Sequence, residues 1–201
     1  LMDLRTNYQT KKLQERIGQV QTTASADQEP AGSLEDMTDS GPDPQESAVQ
    51  EQDQPDGCGI LLKFTQLHEE NPDFAGWLRI PGTKIDYPVM SRAGDNNYYL
   101  DKNFEQQHDK NGSLILDCRN DVTAAGGQNL IIYGHNMRTG VMFGTLKNYK
   151  EKSFCEEHMT IIFDTLYEEC EYKVVAAMLS GVAYEDEDVF RYYDAIDIST
   201  E

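Results

Sequence analysis

Short apolar runs separated by turn residues dominate the chain from residue 60 onward. Runs rich in β-branched and aromatic residues are typical of strands. They predict strands at Trp77–Ile80, Lys84–Met90, Ser113–Asp117, Leu130–Tyr133, Thr160–Phe163 and Glu171–Met178. Short strands joined by turns, with few helices between them, favour a mainly β protein with an antiparallel barrel over an alternating β-α-β sheet.

Helical periodicity occurs in two places within this region. Leu61, Phe64 and Leu67 share one helical face, and Asn71 before Pro72 ends that helix because the residue before a proline is disfavoured in the α region. The segment 142–149 is the second predicted helix, with Phe143 and Leu146 facing inward.

His135 follows the strand Leu130–Tyr133 after a single glycine, Gly134. A histidine where a rigid strand meets a loop is well placed for acid–base chemistry, because its charge changes near pH 7. A structural histidine that caps the end of a strand is the alternative interpretation.

Five sequence blocks carry a resemblance to a known family. They are Asn71–Ile80, Thr83–Val89, Asn97–Leu100, Gly112–Asp117 and Tyr133–Met137. In order and spacing they resemble class B sortases, the cysteine transpeptidases that attach surface proteins to the Gram-positive cell wall. Five blocks in register over about residues 60 to 180 are a far more specific signal than any one motif.

The resemblance implies a sortase-type antiparallel β-barrel with N-terminal helices, in which His135 is the catalytic histidine. Asp86, Met90 and Phe190 fall where the family lines its substrate groove, and residues 184–193 resemble the start of the family's helical insert. The family's Thr-Leu-x-Thr-Cys strand and its later arginine do not occur in the sequence. We therefore expect the last two barrel strands to be missing from this chain, which as written should be inactive.

The expected partners also follow from the resemblance. They are the sorting-signal peptide of a surface protein, an amine acceptor on a peptidoglycan precursor or a pilin, and the membrane, through an N-terminal anchor outside this chain. The expected location is the extracellular face of the plasma membrane of a Gram-positive bacterium. The alternative is an inactive sortase-like module that binds sorting peptides or wall components, and a plain extracellular structural domain is a third possibility.

Charge excludes one class of partner. The 201 residues contain 17 Lys and Arg against 36 Asp and Glu, a net charge of −19. An acidic surface repels phosphate, so nucleic-acid binding is not expected.

Composition divides the chain into three parts. Residues 1–20 have an amphipathic pattern with basic flanks, as in a juxtamembrane stalk, although a solvated helix without membrane contact fits equally well. Residues 21–57 contain ten acidic residues and four prolines but no Lys, Arg or aromatic residue, which predicts a disordered acidic linker. Residues 58–201 form the predicted sortase domain, incomplete at its C-terminal end.

The four cysteines, Cys58, Cys118, Cys155 and Cys170, lack the Thr-Leu-x-Thr context of the family's nucleophile. Acidic neighbours should raise the thiol pKa of Cys155 and Cys170, whereas Arg119 makes Cys118 the better candidate for a surrogate nucleophile. Two disulfides are possible in an exported protein, but free or partly paired thiols are preferred. Cys155 and His158 would supply only two of four metal ligands, so no metal and no cofactor is expected.

Overall fold

The computed structural model of the protein describes residues 9–19, 59–123 and 129–179. Six strands in this part of the chain form one sheet: β1 (Phe74–Arg79), β2 (Asp86–Met90), β3 (Leu114–Leu116), β4 (Ile132–Tyr133), β5 (Thr160–Thr165) and β6 (Glu171–Lys173). Helices are α1 (residues 9–19), α2 (Leu62–Glu70) and α3 (Lys152–Glu157), with 3-10 helices at Tyr98–Asp101 and Phe143–Lys150. The mainly β prediction is confirmed, and each predicted strand has a counterpart in the sheet.

The strand order is β4-β3-β2-β1-β5-β6, and the sheet is curled into a half-barrel. Neighbouring strands are antiparallel except β2 and β3, which are parallel. A parallel pair needs a long crossover, and residues 91–113 provide it through the first 3-10 helix. This connection returns the chain to the end of the sheet where β2 began, so β3 runs in the same direction as β2. The predicted barrel is therefore not antiparallel throughout.

Four predicted strands are longer than the strands in the structure, namely those that match β2, β3, β4 and β6. β4 contains only Ile132 and Tyr133, and β6 ends at Lys173 rather than at Met178. Val175, Met178 and Leu179 are 98%, 75% and 89% exposed. A β-rich sequence becomes a strand only where a neighbouring strand bonds to it. The last such bond is donated by the amide of Val174 to the carbonyl of Met159 at 2.9 Å, and the described residues offer none beyond it.

The core lies on both faces of the sheet, because successive side chains of a strand point in opposite directions. Trp77, Met90 and Ile115 point to the face covered by α1 and α2, where Leu13, Phe64 and Leu67 are also buried. Leu78, Val89, Leu114 and Leu116 point to the other face, which is closed by Val141, Met142 and the second 3-10 helix. The turn that follows β4 therefore belongs to the core and is not a free loop.

Helix α1 packs against this folded unit. Leu13 is 3% exposed, and the guanidinium of Arg16 forms an ion pair with the carboxylate of Glu70 on α2. The amide of Asn103 donates to the side-chain oxygen of Gln9 over 3.1 Å. Residues 9–19 fall in the predicted stalk, and Leu13 lies in the same core cluster as Phe64 and Trp77. The predicted linker lies outside the described residues.

None of the helices in the described ranges is long and apolar enough to cross a membrane.

Candidate active site

His135 follows β4, and its backbone is fixed by the turn that comes next. The carbonyl of His135 accepts hydrogen bonds from the amides of Met137 at 3.1 Å and Phe143 at 3.0 Å. Asn136 and Met142 form an isolated β-bridge across the same turn. These contacts give His135 a defined backbone position despite its place outside the regular strand.

Two glycines permit this tight packing. A Cβ on Gly134 would lie 2.5 Å from Leu114 Cδ2 and 2.7 Å from Phe143 Cδ2. A Cβ on Gly144 would lie 2.1 Å from the carbonyl oxygen of Met137. Only the absence of side chains lets the turn approach the sheet so closely. These contacts explain why a glycine stands between Tyr133 and His135: position 134 faces the crowded core.

The imidazole of His135 is half-buried. Among the described residues no side chain or backbone group forms a hydrogen bond with it. Both ring nitrogens are therefore available to an external group, as a general acid or base requires. The other histidines have local roles: His158 stacks on Phe154 at 4.0 Å and His108 is 74% exposed next to Asp101.

Asp86 lies at the same end of the sheet as His135. β2 begins at Asp86 and is parallel to β3, whereas β4 is antiparallel to β3 and ends just before His135. The half-buried carboxylate of Asp86 accepts a hydrogen bond of 2.7 Å from the indole of Trp77 on β1. This bond orients Asp86, and the carboxylate retains further acceptor positions for a ligand.

Met90 has a different environment. Its exposure is 0%, and it packs in the core cluster with Phe74 and Tyr99. Met90 lies at the buried end of β2, where its side chain has no surface that a substrate could contact. We therefore do not include Met90 in the proposed substrate groove. Phe190, the third predicted groove residue, lies outside the described residues.

A polar network at the other end of β3 was missed by the sequence reasoning. Asp117 is fully buried, and its Oδ1 accepts from the backbone amide and Nε of Arg119, while its Oδ2 accepts from Nη2 of Arg119 and the hydroxyl of Tyr133. The hydrogen bonds from Arg119 lower the pKa of Asp117 well below its usual range. Burial and the Asp117 carboxylate raise the pKa of Tyr133 to about 12. The sequence feature that could have revealed this network is an Asp and an Arg two residues apart, directly after an apolar strand.

The strand register separates Cys118 from His135. Ile115 faces Tyr133 and Leu116 faces Ile132, so continuing this register places Cys118 opposite residue 130. Five residues of extended chain between positions 130 and 135 correspond to about 16 Å, too far for a direct proton transfer. Cys170 lies next to β6, at the opposite end of the strand order, and its burial and nearby carboxylates raise the pKa of its thiol.

Comparison with known protein families identifies one family for this chain. A model described as the sortase domain matches residues 78–193. The chain therefore belongs to the sortase family.

The relatives it matches are class B sortases. Sortase B of Staphylococcus aureus (strain NCTC 8325 / PS 47) is 36% identical over 118 residues, which cover 59% of this chain and 48% of that protein. Sortase B of Listeria monocytogenes is 39% identical over 103 residues, covering 51% of this chain and 41% of that protein. The chain spans about half the length of the curated relatives it matches.

Solved structures give the same class. Sortase B from Bacillus anthracis in complex with AAEK1 superposes with a TM-score of 0.58 at 32% identity, covering 67% of this chain and 62% of that chain. The Staphylococcus aureus sortase B–substrate complex has a TM-score of 0.53 at 35% identity, covering 56% of this chain and 51% of that chain. The family resemblance predicted from the five sequence blocks is thereby confirmed.

Proposed function

We propose that this chain is the histidine-bearing part of a class B sortase-type cysteine transpeptidase. Such an enzyme cleaves a C-terminal sorting motif of a surface protein and joins that protein to an amine of the cell wall or of a pilin. The observation that carries the proposal is the position of His135. Its imidazole is half-buried, lacks a partner among the described residues and lies next to β4, the outermost strand at one end of the sheet.

The reaction needs two further groups. A cysteine thiolate attacks the scissile carbonyl to form a thioester, and an arginine stabilises the negative charge that develops on the carbonyl oxygen. His135 protonates the amine that leaves, and then takes a proton from the amine that attacks the thioester. Among the described residues no strand lies on the outer side of β4. This supports a place for the thiol there, because an added strand would lie about 5 Å from β4.

Asp86 is the proposed polar contact of the sorting peptide. It lies at the His135 end of the sheet, and the Trp77 indole holds its carboxylate in one orientation. A fixed acceptor can bind a backbone amide or a polar side chain of the peptide. Phe190 remains a proposed groove residue on the basis of the family resemblance alone. The proposed location is the outer face of the plasma membrane, through an anchor outside this chain.

Two experiments test the proposal. The first mixes the 201-residue chain with the peptide substrate of the Staphylococcus aureus enzyme and follows the His135 imidazole by NMR. We expect saturable shifts of the His135 signals, no shift in Asp86→Ala, and no cleavage that depends on a thiol. His108→Gln, an exposed histidine away from the proposed groove, is the matched control and should bind normally. Absence of binding by any class B sorting peptide would contradict the proposed groove.

The second experiment reads the source gene beyond the codon for Glu201. An in-frame Thr-Leu-x-Thr-Cys strand followed by an arginine would supply the missing catalytic groups. The complete protein should then cleave the peptide, and His135→Gln should abolish that cleavage.

An inactive peptide-binding module is the second candidate. It is favoured by one observation, the distance of about 16 Å implied by the register between Cys118 and His135. A stop codon directly after Glu201 together with peptide binding would support the module. Thiol-dependent cleavage by the 201-residue chain would exclude it.

A further inference from the structure

The buried carboxylate of Asp117 has no part in the reaction outlined above. Each of its oxygens accepts two hydrogen bonds, which come from Arg119 and Tyr133. A buried carboxylate is costly unless it is paired and hydrogen-bonded, so such a group is retained in a fold only with a full set of partners. This set of partners links the end of β3 to β4.

Tyr133 connects this network to the strand that carries His135. Its hydroxyl donates to Oδ2 of Asp117 over 2.7 Å. Tyr133 and His135 are two residues apart, which in an extended segment places both side chains on the same side of the chain. Fixing the ring of Tyr133 therefore fixes the backbone immediately before His135.

Backbone pairing alone gives β4 little support. β4 pairs with β3 at only two positions, and within the described residues no strand lies on its outer side. Asn120 adds two bonds to the segment before β4, accepting from the amide of Ile131 at 2.9 Å and donating to the carbonyl of Asn129 at 2.8 Å. Side-chain hydrogen bonds from the loop after β3 thus support the segment before β4, which has a neighbouring strand on one side only among the described residues.

From this arrangement we propose that Asp117 is a positioning residue, which fixes the imidazole of His135 through the hydroxyl of Tyr133. The inference rests on the catalytic role proposed for His135. Asp117 itself does not touch the reacting atoms, since the register places it opposite Ile131, four residues before His135. Downstream of His135 the amide of Phe143 already holds the backbone, so Tyr133 supplies the upstream half of the support.

The test compares Tyr133→Phe, Asp117→Asn and the double variant in the full 201-residue chain. Two NMR readouts report on His135 directly: the line shape of its imidazole signal, and the hydrogen exchange of the Phe143 amide, which is bonded to the His135 carbonyl. Loss of one net hydrogen bond predicts exchange at Phe143 that is roughly five- to tenfold faster, relative to the central amides of β1 and β2. The imidazole signal should broaden or split in both single variants.

The double variant decides whether the two residues act as one unit. If they do, its exchange rate at Phe143 equals that of Asp117→Asn alone. Tyr149→Phe is the matched control, since it removes a hydroxyl bonded to the His158 carbonyl at 2.7 Å, and it should leave the His135 signal unchanged.

Unchanged His135 line shape and unchanged relative exchange at Phe143 in both single variants would overturn the inference, as would equal effects in Tyr149→Phe. These readouts use no substrate. Failure of the peptide to bind would count against the proposed function alone, while an unperturbed His135 would count against the positioning role alone.

Discussion

The centre of the sheet and its β4 end are stabilised by different forces. β1 is paired on both sides, with β2 and with β5, and its side chains lie among fully buried apolar residues on both faces. β4 has two paired positions and half-buried side chains, and it depends on Asp117, Asn120 and a turn closed over glycine. Hydrophobic burial fixes the scaffold, whereas a few directional polar contacts fix the segment that carries the candidate catalytic group.

Phe74→Ala tests whether hydrophobic burial stabilises the centre of the sheet, and we expect it to have the largest effect. Phe74 is 1% exposed, and its ring packs edge-on against Phe64 at 5.2 Å and Phe104 at 6.1 Å. Removing a buried aromatic ring leaves a cavity and should cost about 3–5 kcal/mol of unfolding free energy, measured by urea denaturation. Leu100→Ala, at a side chain that is 41% exposed, is the control and should cost far less. Equal losses would mean that the core does not dominate stability.

Gly144→Ala tests the turn that follows β4. The added Cβ would lie 2.1 Å from the Met137 carbonyl oxygen, so the 3-10 helix that contains Gly144 and the turn at Met137 must move apart. Overpacking of this kind should cost about 1–3 kcal/mol, and it should also disturb the NMR signal of His135.

Gly18→Ala is the matched control for this substitution. A Cβ on Gly18 has nothing within 4 Å, and alanine favours a helix by about 0.5–1 kcal/mol over glycine. We therefore expect Gly18→Ala to stabilise α1 slightly. Retention of wild-type His135 signals in Gly144→Ala would show that the turn tolerates displacement.

Acidic pH should weaken the β4 end before it weakens the centre. The folded state lowers the pKa of Asp117 below its unfolded value of about 3.9, chiefly through the hydrogen bonds from Arg119. A lowered pKa contributes stability that is present above about pH 4 and is lost as the pH falls further. Hydrogen bonds to a buried charged group contribute about 1.5–3 kcal/mol, of which a part should disappear on acidification.

The measurement is hydrogen exchange at Ile131 and Phe143 between about pH 5 and pH 3, corrected for the intrinsic rate, with the amides of β1 as internal reference. Asp117→Asn should remove this acid dependence because the titrating group is gone. If the exchange of Ile131 and Phe143 accelerates equally on acidification in Asp117→Asn, the acid dependence comes from other carboxylates.

The smallest effect is expected at the surface of α3. Lys152 and Glu156 form an exposed i, i+4 pair at 3.5 Å, with 88% and 64% side-chain exposure. Exposed pairs of this kind are screened by solvent, so Lys152→Ala should change the unfolding free energy by less than about 0.5 kcal/mol. A larger loss in urea denaturation would indicate that α3 contributes more to the core than its exposure suggests.

Sequence reasoning succeeded where the information was local. The apolar runs placed a strand in each of six regions, and the face formed by Leu61, Phe64 and Leu67 located α2. The Tyr-Gly-His block placed His135 at the end of a strand, where the structure also has it. Strand lengths were less accurate, because the extent of β4 and β6 depends on neighbouring strands, which no local pattern encodes.

The structure places the predicted site residues in different surroundings. His135 and Asp86 lie at the same end of the sheet, which follows from the directions of β2 and β4. Met90 is buried, since the row of residues Met90, Ile115 and Tyr133 crosses the sheet beneath α1 and α2. Asp117 and Arg119 were not recognised, because a buried carboxylate and an exposed one look alike in sequence.

The amino-acid sequence by itself determined the strand-rich character, the family resemblance, the identity of the candidate histidine and the acidic charge. These properties reside in residue types and short spacings, which are fixed by covalent order. Only the tertiary structure decided that β2 and β3 are parallel, that Leu13 joins the core and that Asp117 is buried next to Tyr133. Each of these depends on contacts between residues far apart in the chain, where the packing of the whole sheet selects the partners.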